Sequence, residues 1–141
     1  MRVPAMFIRM YGDVLSRMFA DRGDFVVEVR PLPDADNEYR DMVARLGNTI
    51  YISEQECGLA GFSDTDLMAA MAHEIGHIVY GSLPFGLDAE MRADTLAYEL
   101  GLGTQMISAI DKIIATRRYR HLTSQLVRRL QMLTALERSA V

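Results

Sequence analysis

The 141-residue sequence predicts an α+β fold, mainly helical, with a small sheet packed on one buried helix and an α-helical C-terminal region. Three observations predict it. Apolar residues recur every three or four positions through residues 4–20, 67–79 and 106–136, the spacing of helices with a face turned to a core. Two short runs rich in β-branched residues, Phe25-Val26-Val27-Glu28-Val29 and Thr49-Ile50-Tyr51-Ile52-Ser53, read as strands. Half of the residues are hydrophobic, enough for a single domain of this length to bury its own core.

In chain order, the first helix covers residues 4–20, with Met6, Phe7, Met10, Val14, Leu15, Met18 and Phe19 at helical spacing. Pro4 suits its first turn, and Asp21-Arg22-Gly23-Asp24 ends it. The strand at 25–29 is bounded by Pro31 and Pro33, which begin a polar loop over 31–40. Residues 41–46 fit a strand or a helical turn. Gly47-Asn48 is a turn signal, followed by the strand at 49–53 and a short helix or loop at 54–61.

The next helix has a clear start. Ser63 is a good N-cap, and Asp64 and Asp66 sit in the electropositive first turn. Phe62 can staple to Leu67. Leu67, Met68, Ala70, Met71, Ile75, Ile78 and Val79 make this helix apolar over much of its surface, so it is expected to be buried. Ala69, Ala70, Ala72 and Gly76 allow neighbours to approach closely. Gly81-Ser82-Leu83-Pro84 stops it. A second helix runs over 88–100 and is stopped by Gly101 and Gly103. Thr104 opens a last region with two stripes, Met106, Ile107, Ile110, Ile113 and Ile114, then Leu122, Leu126, Leu130, Leu133 and Leu136. These form one bent helix or two.

The buried helix carries His73-Glu74-Ile75-Gly76-His77, a HExxH pattern. Positions four apart lie on one helix face, so His73 and His77 can direct two imidazoles at one zinc ion. Glu74 projects beside the metal, where it can take a proton from water. Histidines and a glutamate on a buried helix are costly to desolvate without such a partner. A catalytic zinc takes three protein ligands and keeps an open position. The next helix supplies Glu90-Met91-Arg92-Ala93-Asp94, or ExxAD. Glu90 can be the third ligand. Asp94, one turn on, can accept the outer N–H of a ligating histidine and fix its tautomer.

Composition sets further bounds. Cys57 is the one cysteine, so no intrachain disulfide forms and a reducing compartment is expected. Cys57 itself reads as a core residue, or as a thiol held at the metal in a latent form. No apolar run approaches the roughly 18 residues of a membrane span, and the start, with Arg2 and Arg9, does not read as a signal peptide. The expectation is a soluble, cytoplasmic protein with no membrane partner. Net charge is −4, unevenly placed. Residues 1–103 hold 8 Arg against 17 Asp/Glu, and residues 104–141 hold 7 Lys/Arg against 2 Asp/Glu. The basic region reads as a solvated helix face, or as one docking on the acidic body, and the arginine cluster from Arg117 to Arg129 is expected to face solvent. Nucleic acid is not an expected partner, since no aromatic interleaving or reader motif accompanies the charge.

Three stretches carry a resemblance to a known family: Asn48-Thr49-Ile50-Tyr51-Ile52-Ser53, then Ala70-Met71-Ala72-His73-Glu74-Ile75-Gly76-His77, then Glu90-Met91-Arg92-Ala93-Asp94 followed by Ala97. The chain resembles the gluzincin metallopeptidases, and more closely the minigluzincins and the soluble core of HtpX-type peptidases. It is similar also to ImmA/IrrE-type regulatory proteases, which usually show Asn at the place of Asp94. The resemblance implies a zincin-like fold, a Zn2+ cofactor and a peptide or protein substrate. It also implies that Thr49, Ile50, Tyr51, Ile52 and Ser53 form an edge strand that pairs with extended substrate. The chain departs from the family in its short gap between His77 and Glu90, and in the absence of membrane-spanning segments.

The expected chemistry is peptide-bond hydrolysis by zinc-activated water, with Glu74 as general base. The developing oxyanion needs a donor besides zinc. Among His121, Tyr119, Arg117, Arg118 and Arg120, the choice falls on His121. The alternatives are an ImmA-like protease acting on one partner protein, and a latent or inactive zinc-binding protein.

Overall fold

The computed structural model describes residues 1–19, 24–33, 41–81 and 86–139. The turn at 21–23, most of the polar loop over 31–40 and the Ser82-Leu83-Pro84 stop lie outside these. The described chain is α+β, with six α-helices and one three-stranded sheet: α1 (Val3–Phe19), β1 (Val26–Glu28), β2 (Val43–Leu46), β3 (Thr49–Ile52), α2 (Glu54–Ala60), α3 (Asp64–Val79), α4 (Leu87–Glu99), α5 (Gly103–Ala115), a 3₁₀ turn (Arg120–Leu122) and α6 (Thr123–Ser139).

Residues 43–46 thus take the strand option. Gly47 at φ 60° and Asn48 form the two-residue turn of the β2–β3 hairpin, a loop that favours glycine and asparagine because it needs a left-handed backbone. β3 pairs antiparallel with β2 and parallel with β1, in the order β1-β3-β2. Residues 54–60 take the helical option. Ser53 caps α2 through Oγ, which accepts from the Glu56 N–H, and Gly61 ends it in the left-handed conformation. The C-terminal region is two helices, not one bent helix.

α3 begins on a reciprocal cap. The Ser63 hydroxyl accepts from the Asp66 N–H at 3.1 Å, and Asp66 accepts from the Ser63 N–H at 2.8 Å, so two otherwise orphaned donors are satisfied. The helix is buried along most of its length, from Asp66 to Val79, as its all-round apolar surface requires. It packs against α4 and α5 and also against α1, β2 and β3.

Gly76 decides how closely α3 and α4 pack. A Cβ built on it would lie 2.5 Å from the Ala93 carbonyl oxygen and 2.8 Å from the Ala93 Cα. Only a residue without a side chain lets the two backbones meet there. Ala93 sits between Glu90 and Asp94, so this contact sets how near both carboxylates come to the histidines of α3. Among the described residues, no helix is long and apolar enough to cross a membrane.

Candidate metal centre

His73 and His77 lie one turn apart on α3, and their Nε2 atoms approach within 3.2 Å. From α4, the Glu90 carboxylate reaches both, with Oε2 2.9 Å from His73 Nε2 and Oε1 3.2 Å from His77 Nε2. Among the described residues this is the group of three or more ligand-type side chains that could hold a metal ion. Donors around a tetrahedral zinc, each about 2.0–2.2 Å from it, stand about 3.3 Å apart. The three separations fit that geometry. The donor chemistry fits as well. Two imidazole nitrogens and a carboxylate converge, a donor set that could hold a metal ion.

The other nitrogen of His73 is fixed from behind. Its Nδ1 donates to Asp94 Oδ1 at 2.7 Å, and Asp94 is fully buried. Arg129, from α6, grips the same carboxylate with a fork: Nε donates to Oδ2 at 2.7 Å and Nη2 to Oδ1 at 2.9 Å. Its Nη1 lies 3.6 Å from Glu90 Oε2. A bidentate arginine fixes both position and charge of a carboxylate. Asp94 therefore holds the His73 ring in one orientation, with Nε2 turned toward His77 and Glu90.

The electrostatics follow from this network. Burial and Arg129 push the His73 pKa down, but the Asp94 and Glu90 carboxylates more than offset them and raise it to about 9. A proton and a metal ion thus compete for the ring. Burial would raise the Glu90 and Asp94 carboxyls, yet the hydrogen bonds and charges of their partners hold both below the usual carboxylate range. Glu74 is half-buried on the same helix. Burial raises its pKa, and His73 and His77 offset this only in part.

A cavity of about 220 Å³ opens beside the cluster. His73, Glu74, Glu90 and Arg129 line its polar side, Asp41, Met42 and Val43 form the sheet-side wall, and Met106, Ile113 and Leu126 are among its apolar lining. Such a mixture of apolar lining and a few convergent polar groups suits ligand binding.

Several expectations need correction. Thr49 to Ile52 do not form an edge strand: β3 is central, paired on both sides, and Ser53 is the cap of α2. β2 is the outer strand on the cavity side. A two-residue hairpin fixed the pairing of these two strands, but which of them β1 would join was not written in either. His121 is exposed in the 3₁₀ turn and does not line the cavity. Tyr119, two residues earlier, does line it, and its hydroxyl donates to Asp41. Arg118 pairs with Glu56. Cys57 is buried in the core, its thiol donating to the Met42 carbonyl at 3.5 Å and pushed up to about 12 by burial. It is not in the metal-type cluster.

Arg129 departs from the solvent-facing arginine cluster that the sequence suggests. It is 8% exposed. A signal was present, because Leu126, Arg129 and Leu133 share one face of α6, and Leu126 and Leu133 are buried. An arginine inside an apolar stripe needs a buried acid.

Comparison with protein-family models, with curated proteins and with solved structures gives no match.

Proposed function

We propose that this protein is a zinc-dependent endopeptidase of the gluzincin type, with a zincin-like arrangement of α3 and α4 around the metal. The supporting observation is the convergence of His73, His77 and Glu90 from two helices, with Glu74 beside them on the wall of one cavity. Two imidazoles and one carboxylate suit zinc, and three protein ligands are the number found in catalytic rather than structural sites. Zinc, when bound there, supplies a Lewis acid that acidifies water and polarises a carbonyl oxygen.

The chain's own residues supply the rest. Asp94, clamped by Arg129, holds the His73 ring in one orientation. Glu74, with its raised pKa, takes a proton from water in the cleft and passes it to the leaving amine. The apolar lining from α5 and α6 holds a substrate side chain and excludes bulk water. The outer strand β2 offers backbone donors and acceptors next to the cavity for an extended peptide. The substrate is a peptide or unfolded protein, and the lone buried cysteine suits a reducing compartment.

The test is Glu74→Gln, loaded with zinc and assayed on an unfolded protein such as casein. The expected result is a full zinc content with hydrolysis reduced at least about 100-fold. Hydrolysis at the unsubstituted rate would remove Glu74 from the role of base.

A further inference from the structure

The basic C-terminal region has two parts with different surroundings. Three of its cations neutralise acids of the body: Lys112 pairs with Asp66, Arg118 with Glu56 and Arg129 with Asp94. Arg117, Arg120, Arg128 and Arg138 are exposed instead, with no carboxylate partner among the described residues. Of the four, Arg117 and Arg120 lie in the connection between α5 and α6.

These two arginines line one concavity of about 400 Å³, together with Ile113, Ile114, Tyr119 and Thr123. Ile113 and Tyr119 also line the metal cavity, so the two depressions share a wall. Arg117 has φ 58°, the left-handed conformation that ends α5 just past its cap residue Thr116 and turns the chain toward the 3₁₀ turn. Two arginines and two isoleucines lining one concavity match a carboxylate on a short aliphatic stem.

We propose that this concavity is a carboxylate-binding subsite continuous with the metal cleft. It selects peptides that carry an acidic side chain, or a free C-terminal carboxylate, near the cleaved bond. This selection rests on the peptidase reading, but the binding itself needs no hydrolysis.

Zinc-loaded Glu74→Gln protein keeps the peptides intact for measurement. Short fluorescent peptides with one leucine carry Asp or Asn at each position in turn, with a free or an amidated C-terminus, and binding is followed by anisotropy. The expected result is tighter binding of one acidic peptide than its neutral twin by about fivefold to tenfold, shrinking as salt rises. Preference that follows the aspartate identifies a side-chain carboxylate. Preference that follows the free end identifies the terminal one.

Arg117→Gln with Arg120→Gln is expected to abolish the difference. Arg117→Glu with Arg120→Glu is expected to turn the preference toward lysine peptides. Both residues are exposed, and a thermal melt confirms that each variant is folded. Equal binding of acidic and neutral peptides, or a preference that survives the double glutamine variant, would overturn the subsite. Acid preference without hydrolysis by the unsubstituted chain would sink the peptidase reading and leave the subsite standing. Hydrolysis with no acid preference would do the reverse.

Discussion

Asp66 and Asp94 are both almost fully buried, at 1% and 0% exposure, and each is neutralised by a cation from the C-terminal helices. Their remaining partners differ. Asp66 turns back on its own helix, accepting from the Ser63 N–H and completing the cap of α3. Asp94 turns outward to another helix and takes the Nδ1–H of His73. The same physical device, a buried carboxylate balanced by a distant cation, therefore serves helix initiation at the start of α3 and the orientation of the His73 ring further along it. The basic region docks on the acidic body at both points. What it does at each depends on the carboxylate's second partner.

This contrast can be broken most forcefully at Arg129. Arg129→Ala leaves Asp94 buried without its counter-charge, at an expected cost of about 3–5 kcal/mol in stability. Zinc affinity is expected to fall about 10- to 100-fold, because the Asp94–His73 pair is no longer held. Denaturant melts and zinc titration with a chelating dye measure both. Arg129→Lys keeps the charge but loses the fork, and is expected to fall between the two. Zinc affinity unchanged in the alanine variant would mean that Asp94 does not orient His73.

Gly76→Ala is next. The new methyl group meets the Ala93 backbone, and α4 must shift, costing about 1–3 kcal/mol from overpacking. With the Ala93 backbone only 2.5 Å from the new Cβ, the cost lies toward the upper end of that range and outweighs the roughly 1 kcal/mol that alanine gains over glycine in a helix. Because Glu90 and Asp94 flank Ala93, weaker zinc binding is expected to accompany the lower melting temperature. A lower melting temperature alone would separate helix packing from the site.

The smallest effect is expected at the cap. Asp66→Asn should cost about 1–2 kcal/mol and leave zinc affinity unchanged. Burial raises the Asp66 pKa, but Lys112 and the Ser63 donors outweigh it, so the folded value lies below the unfolded one. The stabilisation by the charge is therefore complete above about pH 4 and fades as pH falls through the folded value. The gap in stability between the two proteins should narrow on acidification. A gap that widens there would contradict the assignment.

How much of this was legible in the sequence differs by interaction range. His73, Glu74 and His77 are set by local spacing on one helix, and Ser63 and Asp66 by a local cap. Glu90 and Asp94 follow from a second local spacing plus the short connection before it. The Asp94–Arg129 pair joins residues far apart in the chain, and helical spacing alone does not say which acid an arginine on a leucine stripe will meet. The same limit applied to the sheet. The hairpin turn at Gly47-Asn48 is local, whereas the parallel pairing that puts β3 in the middle is not. His121 has the chemistry of an oxyanion donor, but the chain around the 3₁₀ turn directs Tyr119, not His121, to the cavity.

The most direct test of the metal centre is zinc content by atomic emission, measured on purified protein after equilibration with zinc and gel filtration, beside His77→Ala and Glu90→Ala. About one zinc per unsubstituted chain is expected, and well under half of that in each variant while circular dichroism shows the helices retained. No bound zinc in the unsubstituted chain, or equal zinc in all three proteins, would contradict a shared ion held by α3 and α4.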